Sequence, residues 1–405
     1  MVLAGSRYFS QWLNLSTPEV STADMYSEGN EVDRIVFLLL ILASIMVLVQ
    51  RRLNWSELLK NNGWIWPYCI FCAFSILWSD EPFVTFKRWI KLIGVISMAL
   101  VILTETHPYE ALGVILRRIA YLLLPLSMLF IIYYPDLGRC YGADGTVMYT
   151  GVTFQKNKLG MLCLICGIYF CWNLIFNSRE GNKSGKLLHF IYFIFLLIIG
   201  RLLYVSQSAT SQVCLAVAIC IFLISRVPAF IQKPNRNITT GIVLLSFYVI
   251  LEFFFEIKET VIIMFGRTPD LTSRVPVWEK LLTHVQNPLF GFGYQNFWTG
   301  ERMVQVWDQV GATIVTSHNG YLDTYLDLGI VGLSLALISI IAGAGKAAKH
   351  LNREYAYAIL RLSIIIVFAI YNWTETAFIP LNNVFLLFWV SILEVPDAIN
   401  DQKQQ

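Results

Sequence analysis

The sequence predicts an all-α, polytopic integral membrane protein. It reads as a helical bundle of about eleven transmembrane helices, with twelve as the alternative count, and one long external loop containing short helices. Three observations predict it. The 405-residue chain is 56% hydrophobic and only 14% charged, where a soluble domain carries roughly 25% charged residues. Apolar runs recur along its whole length, at a mean hydropathy of +0.60. The polar stretches between those runs alternate in charge, as loops on the two sides of a membrane do.

Residues 1–33 are polar and mixed and form the expected external amino-terminal segment. They hold no cleavable signal pattern, so the first span itself must direct insertion. Spans are then expected at roughly 34–50, 63–79, 89–106, 115–134, 157–177, 187–205, 209–225 and 239–256. These eight occupy 34–256. A long external loop follows over 257–319, and three more spans fill 320–394 at roughly 320–345, 355–373 and 376–394. Residues 395–405 form a cytoplasmic tail.

Orientation follows from Lys and Arg placement rather than from the small net charge of +3. "QRRLNWSELLKNNG", "ILRRIA", "NSREGNKSGK", "SRVPAFIQKPNRN" and "GKAAKHLNREY" are uniformly basic and are read as cytoplasmic loops. The opposite set faces outside. It comprises "SDEPFVTFKRW", "YPDLGRCYGADGTVMYTGVTFQKNK", "SQSA", the 257–319 segment and "NWTET". A connection of about 60 residues is too long to be idle. It reads as a helix over "SRVPVWEKLLTHV" followed by the turn "NPLFGFGYQNFW".

Most of the eight cysteines lie inside apolar runs, where the thiol behaves as a small hydrophobe. Cys69–Cys72 and Cys163–Cys166 are CxxC pairs within spans and without a matching histidine, so packing is preferred to a metal site.

Cations on the external side are oddly placed. Lys87 and Arg88 directly precede "WIKLIGVISMAL", and Lys156 and Lys158 sit at the mouth of a span. Arg201 lies within "FIFLLIIGRLLYV", and Arg274 opens the loop helix. A charge at membrane depth is costly and is normally paired or functional. Several cations on one face suggest a shared anion, and the guanidinium fork matches phosphate oxygens. The plainer reading of Lys87, Arg88, Lys156 and Lys158 is snorkelling. Glu252 is a candidate structural partner for Arg201, and Arg361 is read as structural.

"TSHNGYLDTYLDLGIVG" places His318 and Asn319 before a span that carries Asp323 and Asp327. An imidazole can accept a hydroxyl proton near neutrality. Asn319 can cap the following helix. The two aspartates, four apart, share a face that must avoid lipid. Gly329 and Gly332 permit close helix packing. The hydroxyls of "SQSATSQ" are read as helix caps, with substrate contact as the alternative.

In this order, "WSDEPFVTFKRW", "GVTFQKNKLG", "SATS", "TSRVPVWEKLLTHVQNPLFGFGYQNFW" and "SHNGYLDTYLDLGIVG" resemble the O-antigen ligase-like family. That family includes lipopolysaccharide O-antigen ligases, O-antigen polymerases and exopolysaccharide polymerases. The His-Asn pair set nine residues before Gly-x-x-Gly is the most specific element. "WSDEPFVTFKRWIK" and "GVTFQKNKLG" look most like the exopolysaccharide-production branch. The family commonly has about twelve spans, one more than counted here.

The resemblance implies an inverting glycosyltransferase of the bacterial inner membrane with its active site facing the periplasm. Its donor would be a polyprenyl-pyrophosphate-linked oligosaccharide, and its acceptor a hydroxyl on a glycan or lipid core. It implies catalytic roles for His318, Arg274 and Arg201. Arg88, Lys87, Lys156, Asn319 and Asp323 would bind pyrophosphate or glycan. No cofactor, metal or nucleic acid is implied; membrane lipids, chain-length regulators and export proteins are the further partners. Two other readings fit the span count: a transporter of a small anion, and a noncatalytic component of a polysaccharide export complex.

Overall fold

A computed structural model describes residues 30–51, 53–142, 145–176, 183–232, 274–380 and 382–396, and the structural statements below concern these residues. Every expected span carries helix except 239–256, which lies outside the described residues. Short helix α2 (Trp55–Asn61) follows α1 (Glu31–Gln50). The first crossings are α1, α3 (Trp66–Phe74, extended by a 3-10 turn to Trp78), α4 (Pro82–Leu103) and α5 (Pro108–Tyr133). After α5 come α6 (Lys156–Phe176), α7 (Lys183–Ser206) and α8 (Ala209–Ser225). The external loop contributes α9 (Val275–Thr283) and α10 (Gly300–Val310), and the chain closes with α11 (Gly320–Lys349), α12 (Tyr355–Thr374) and α13 (Asn383–Ile392).

Local sequence explains the starts. Asn30 accepts from Val32 N at 2.8 Å and caps α1. Proline occupies the first turn of α3, α4 and α5, where its missing N–H is harmless. Six helices are long and apolar enough to cross a membrane, so the chain is an integral membrane protein. Helices α3 with its 3-10 extension, α8 and α13 are apolar but shorter. Helix α4 runs 22 residues and carries Lys87, Arg88 and Lys91 near its start.

The described residues are almost wholly helical, as expected; within the 135–155 connection, β1 (Arg139–Tyr141) and β2 (Val147–Tyr149) pair as one short antiparallel hairpin. One expectation needs correction. "ILRRIA" is not a loop: it lies inside α5, and the connection before it is residues 104–107.

Contacts far apart in sequence join like ends of the helices. At the end with the basic loops, Arg51 pairs with Glu105, Tyr109 bonds Glu354, and Trp172 Nε1 donates to Ala356 O at 2.7 Å. At the other end, Asn157 reaches Glu375, Thr210 reaches Thr374, and Trp78 reaches Phe290. Adjacent crossings therefore alternate in direction, as the charge pattern requires.

Residues 274–317 form a cap on that second end with a small core of its own. Leu281, Phe297, Trp298, Met303 and Val306 pack there against Leu326 of α11. The cap enters the bundle at a break in α11. Gly329 has φ 63 and ψ −167 inside the helix, a conformation open essentially to glycine alone. Around it the helical ladder is replaced by bonds to the loop. Phe292 N and Gly293 N donate to the carbonyls of Leu326 (3.2 Å) and Asp327 (2.7 Å). Ile330 N and Val331 N donate to Pro288 O (2.9 Å) and Leu289 O (3.2 Å). Broken helices survive in bundles when protein re-satisfies the freed groups in this way. The close approach expected of Gly329 is thus to loop backbone: a Cβ there would lie 2.3 Å from the Leu289 carbonyl.

Candidate active site

The cap, the start of α6 and the turn after α12 meet around one carboxylate, Glu375. Asn157 Nδ2 donates to Glu375 Oε1 at 2.7 Å. His318 Nδ1 lies 3.4 Å from Oε2, and Arg274 Nη2 lies 3.8 Å from Oε1. Arg274 is further tied by Nη1, which donates to Thr374 O at 2.7 Å and reaches His318 O at 3.5 Å. Lys158 lies within electrostatic reach of the same carboxylate. The Glu375 side chain is only 14% exposed, whereas His318 is 46% and Arg274 32% exposed. The acid is the buried anchor, and the imidazole and guanidinium are its accessible rim.

Local sequence presents His318 outward. Its φ is 54, in the left-handed region that non-glycine residues rarely occupy. Flanking residues hold it there. Asn319 N donates to Ser317 Oγ at 3.1 Å, and Ser317 Oγ donates to Asn319 O at 2.9 Å. Asn319 then accepts from Tyr321 N and Leu322 N at 3.0 and 3.1 Å, so its amide oxygen caps α11.

The face shared by Asp323 and Asp327 avoids lipid by turning inward against the cap; both are buried. Asp323 accepts from Trp298 Nε1 (3.1 Å), Ser317 N (3.0 Å) and Thr376 Oγ1. Asp327 accepts from Phe297 N at 2.9 Å. These bonds tie the cap to α11. A buried carboxylate with this many donors is saturated.

The remaining predicted cations have other contacts. Arg88 is buried and donates to Gln295 O of the cap. Lys87 lies 4.9 Å from the Phe83 ring. Lys156 opens α6, one residue before Asn157. Arg201 is exposed on α7, its guanidinium 5.7 Å from the Tyr204 ring, and no hydrogen bond or ion pair ties it to Arg274, His318 or Glu375 among the described residues. Its helix nonetheless ends near the site. Thr210, just past the turn after α7, makes a 2.7 Å bond with Thr374. The other hydroxyls of that turn bond locally, Ser206 Oγ accepting from Ser208 N at 3.4 Å and Ser208 Oγ donating to Ser211 Oγ at 3.1 Å, and Ser208, at the α8 N-cap, makes no side-chain capping bond.

Glu375 and Asn157 were not singled out from the sequence. The only signal was an acid in "NWTET", an external connection too short to form structure of its own, and an amide beside the lysines of "QKNKLG".

Comparison with known proteins places the chain among similar proteins. The family described as O-Antigen ligase matches residues 193–337, which run from α7 through the cap into α11. A curated relative, the exopolysaccharide production protein ExoQ of Rhizobium meliloti (strain 1021), is 25% identical over 304 residues. That alignment covers 72% of this chain and 66% of the relative, so the chain spans about two thirds of that protein's length. The chain is therefore similar to the O-antigen ligase-like family of membrane proteins, and within it to the exopolysaccharide-production branch.

Proposed function

We propose that this protein is a membrane glycosyltransferase of the O-antigen ligase and polymerase type. It moves glycan from a polyprenyl-pyrophosphate carrier onto a sugar hydroxyl, on the external face of the bacterial inner membrane. The observation that carries this reading is the meeting of His318, Arg274 and Asn157 on Glu375, at the end of the bundle opposite the basic loops.

The geometry supports a division of labour. With its proton on Nδ1, His318 donates to Glu375 and leaves Nε2 as a lone-pair acceptor at an exposed position. The acceptor hydroxyl attacks the anomeric carbon of the donor. A C–O bond forms as the bond to the diphosphate oxygen breaks, and the hydroxyl proton passes to Nε2. The carrier diphosphate leaves with growing negative charge. Arg274, fixed through Thr374 O, faces that charge with its remaining donors, and Lys158 and Arg201 add cations near the same end. Glu375 holds the imidazole tautomer and stabilises the imidazolium that forms, as the carboxylate of a catalytic triad does.

The test uses purified protein in proteoliposomes supplied with a lipid-linked oligosaccharide and an acceptor glycan. His318→Ala, Arg274→Ala and Arg201→Ala are expected to abolish product while the protein still inserts. Normal product from all three rejects the reading. Anion flux without consumption of the lipid-linked donor would favour a transporter instead.

A further inference from the structure

Arg117 lies in the third turn of α5, about 14 Å along the helix from its first residue. Its guanidinium turns inward. Nη1 donates to the hydroxyls of Tyr169 on α6 at 2.8 Å and Tyr192 on α7 at 3.3 Å. Both rings are buried. The groups acting on the Arg117 charge are the phenols of Tyr169, Tyr192 and Tyr121, all neutral at pH 7. Other arginines of the bundle and cap, Arg51, Arg274, Arg302 and Arg361, each face a carboxylate. Arg117 has no such partner among the described residues. The nearest acid before it on α5, Glu110, is exposed and two turns away, roughly 10 Å along the axis. A cation within a span that meets no carboxylate among the described residues invites an anion from outside them, since an unpaired charge there is costly.

The surroundings supply a shape for the missing anion. One turn farther from the basic end, Tyr121 and Phe195 close the seam between α5 and α7, their ring centroids 4.8 Å apart. Lys186 is exposed toward the basic end of α7, and Arg118 is exposed beside Arg117 on α5. The seam is roofed by rings and backed by phenol hydroxyls. Nη1 is taken by the tyrosines, which fix the guanidinium plane. Nε and Nη2 remain for two oxygens of one phosphate, the fork that suits bidentate binding.

We propose that this seam binds the phosphodiester headgroup of an anionic phospholipid from the leaflet at the basic end, with Arg117 as its central donor and Arg118 and Lys186 at its rim. The acyl chains lie on the apolar outer faces of α5 and α7, where Leu122, Leu187 and Phe190 are exposed. Inorganic phosphate offers the same oxygens without the chains.

The experiment uses the full chain in an uncharged detergent. The thermal midpoint is followed while phosphatidylglycerol, phosphatidylcholine or inorganic phosphate is added, and retained lipid is counted by native mass spectrometry. Phosphatidylglycerol is expected to raise the midpoint and to be retained at about one molecule per chain, as ligand linkage requires. Phosphatidylcholine and inorganic phosphate leave the midpoint unchanged. Arg117→Gln and Arg117→Lys lose most of the shift, the second because an ammonium cannot fork. Arg226→Gln, which removes a cation lying over the Phe176 ring on another helix, keeps it. Equal responses of the unaltered protein to the two lipids, or a full shift from inorganic phosphate alone, overturn the proposal without any variant having to fold. A full phosphatidylglycerol shift in Arg117→Gln overturns it as well.

Discussion

The molecule contains the same trio of side chains twice, once at each end, and uses it in opposite ways. At the cap end, Glu375 gathers His318 and Arg274. At the basic end, Glu394 gathers His350 at 3.1 Å and Arg361 at 2.6 Å. The second trio is closed at its arginine, while His350 is 32% exposed. The Arg361 side chain is 5% exposed, and its Nε also donates to Ser391 O at 2.7 Å, so it staples α12 to the end of α13. The first trio is open, with longer contacts and an imidazole nearly half exposed. Residue identity therefore does not separate a structural ion pair from one proposed to react. What separates them is how many donors are already spent inside the protein and how many remain for something outside.

That contrast can be broken by exchange of roles. The largest expected effect belongs to the open trio. His318→Ala should lower turnover by about 10²- to 10⁴-fold, the usual worth of a positioned acid or base. Its thermal midpoint should stay near that of the unaltered protein. Collapse of the fold in this variant would make the open trio structural after all. Arg361→Ala should do the reverse and destabilise by about 3–5 kcal/mol, because it strips a partner from a largely buried carboxylate. The loss would appear as reduced yield and early melting. A well-folded Arg361→Ala protein would erase the distinction between the two ends.

Smaller changes sharpen the cap's part in the open site. Gly329→Ala puts a Cβ against the Leu289 carbonyl at a φ and ψ reserved for glycine. A strain of about 1–3 kcal/mol is expected. Because the cap carries Arg274 and leads directly into His318, activity should fall with it, and proteolysis should cut the 287–297 segment sooner. Thr210→Val removes one hydroxyl bond to Thr374 and should be worth about 1 kcal/mol. Its activity loss should be slight, and a loss as large as that of His318→Ala would place Thr210 among the reacting groups.

Much of the site was legible in advance, but unevenly. His318 and Arg274 were readable because a polar dyad and a cation stand where apolar spans begin and end, and such residues are costly there unless used. Asp323 carried the same signal and meant something else. Its four-residue spacing from Asp327 fixed a shared face, but that face meets Trp298, Phe297 and Ser317 of the cap rather than water. Arg117 was misplaced because "LRR" lowers the local hydropathy of a helix that in fact continues through it. Glu375 carried almost no signal, since a single acid in a short connection is ordinary.

The sequence by itself determined the helical membrane class, the alternation of basic and non-basic ends, and the chemical types available at the cap end. Those are properties of short stretches, and both the insertion of apolar runs and the sorting of charge act on short stretches. Only the tertiary structure decided which acid His318 faces and which residues break and refill α11. It also decided which of two similar trios stays open. Each of those depends on helix ends and loop segments tens to hundreds of residues apart meeting in space, and nothing in the spacing along one helix records where another helix ends.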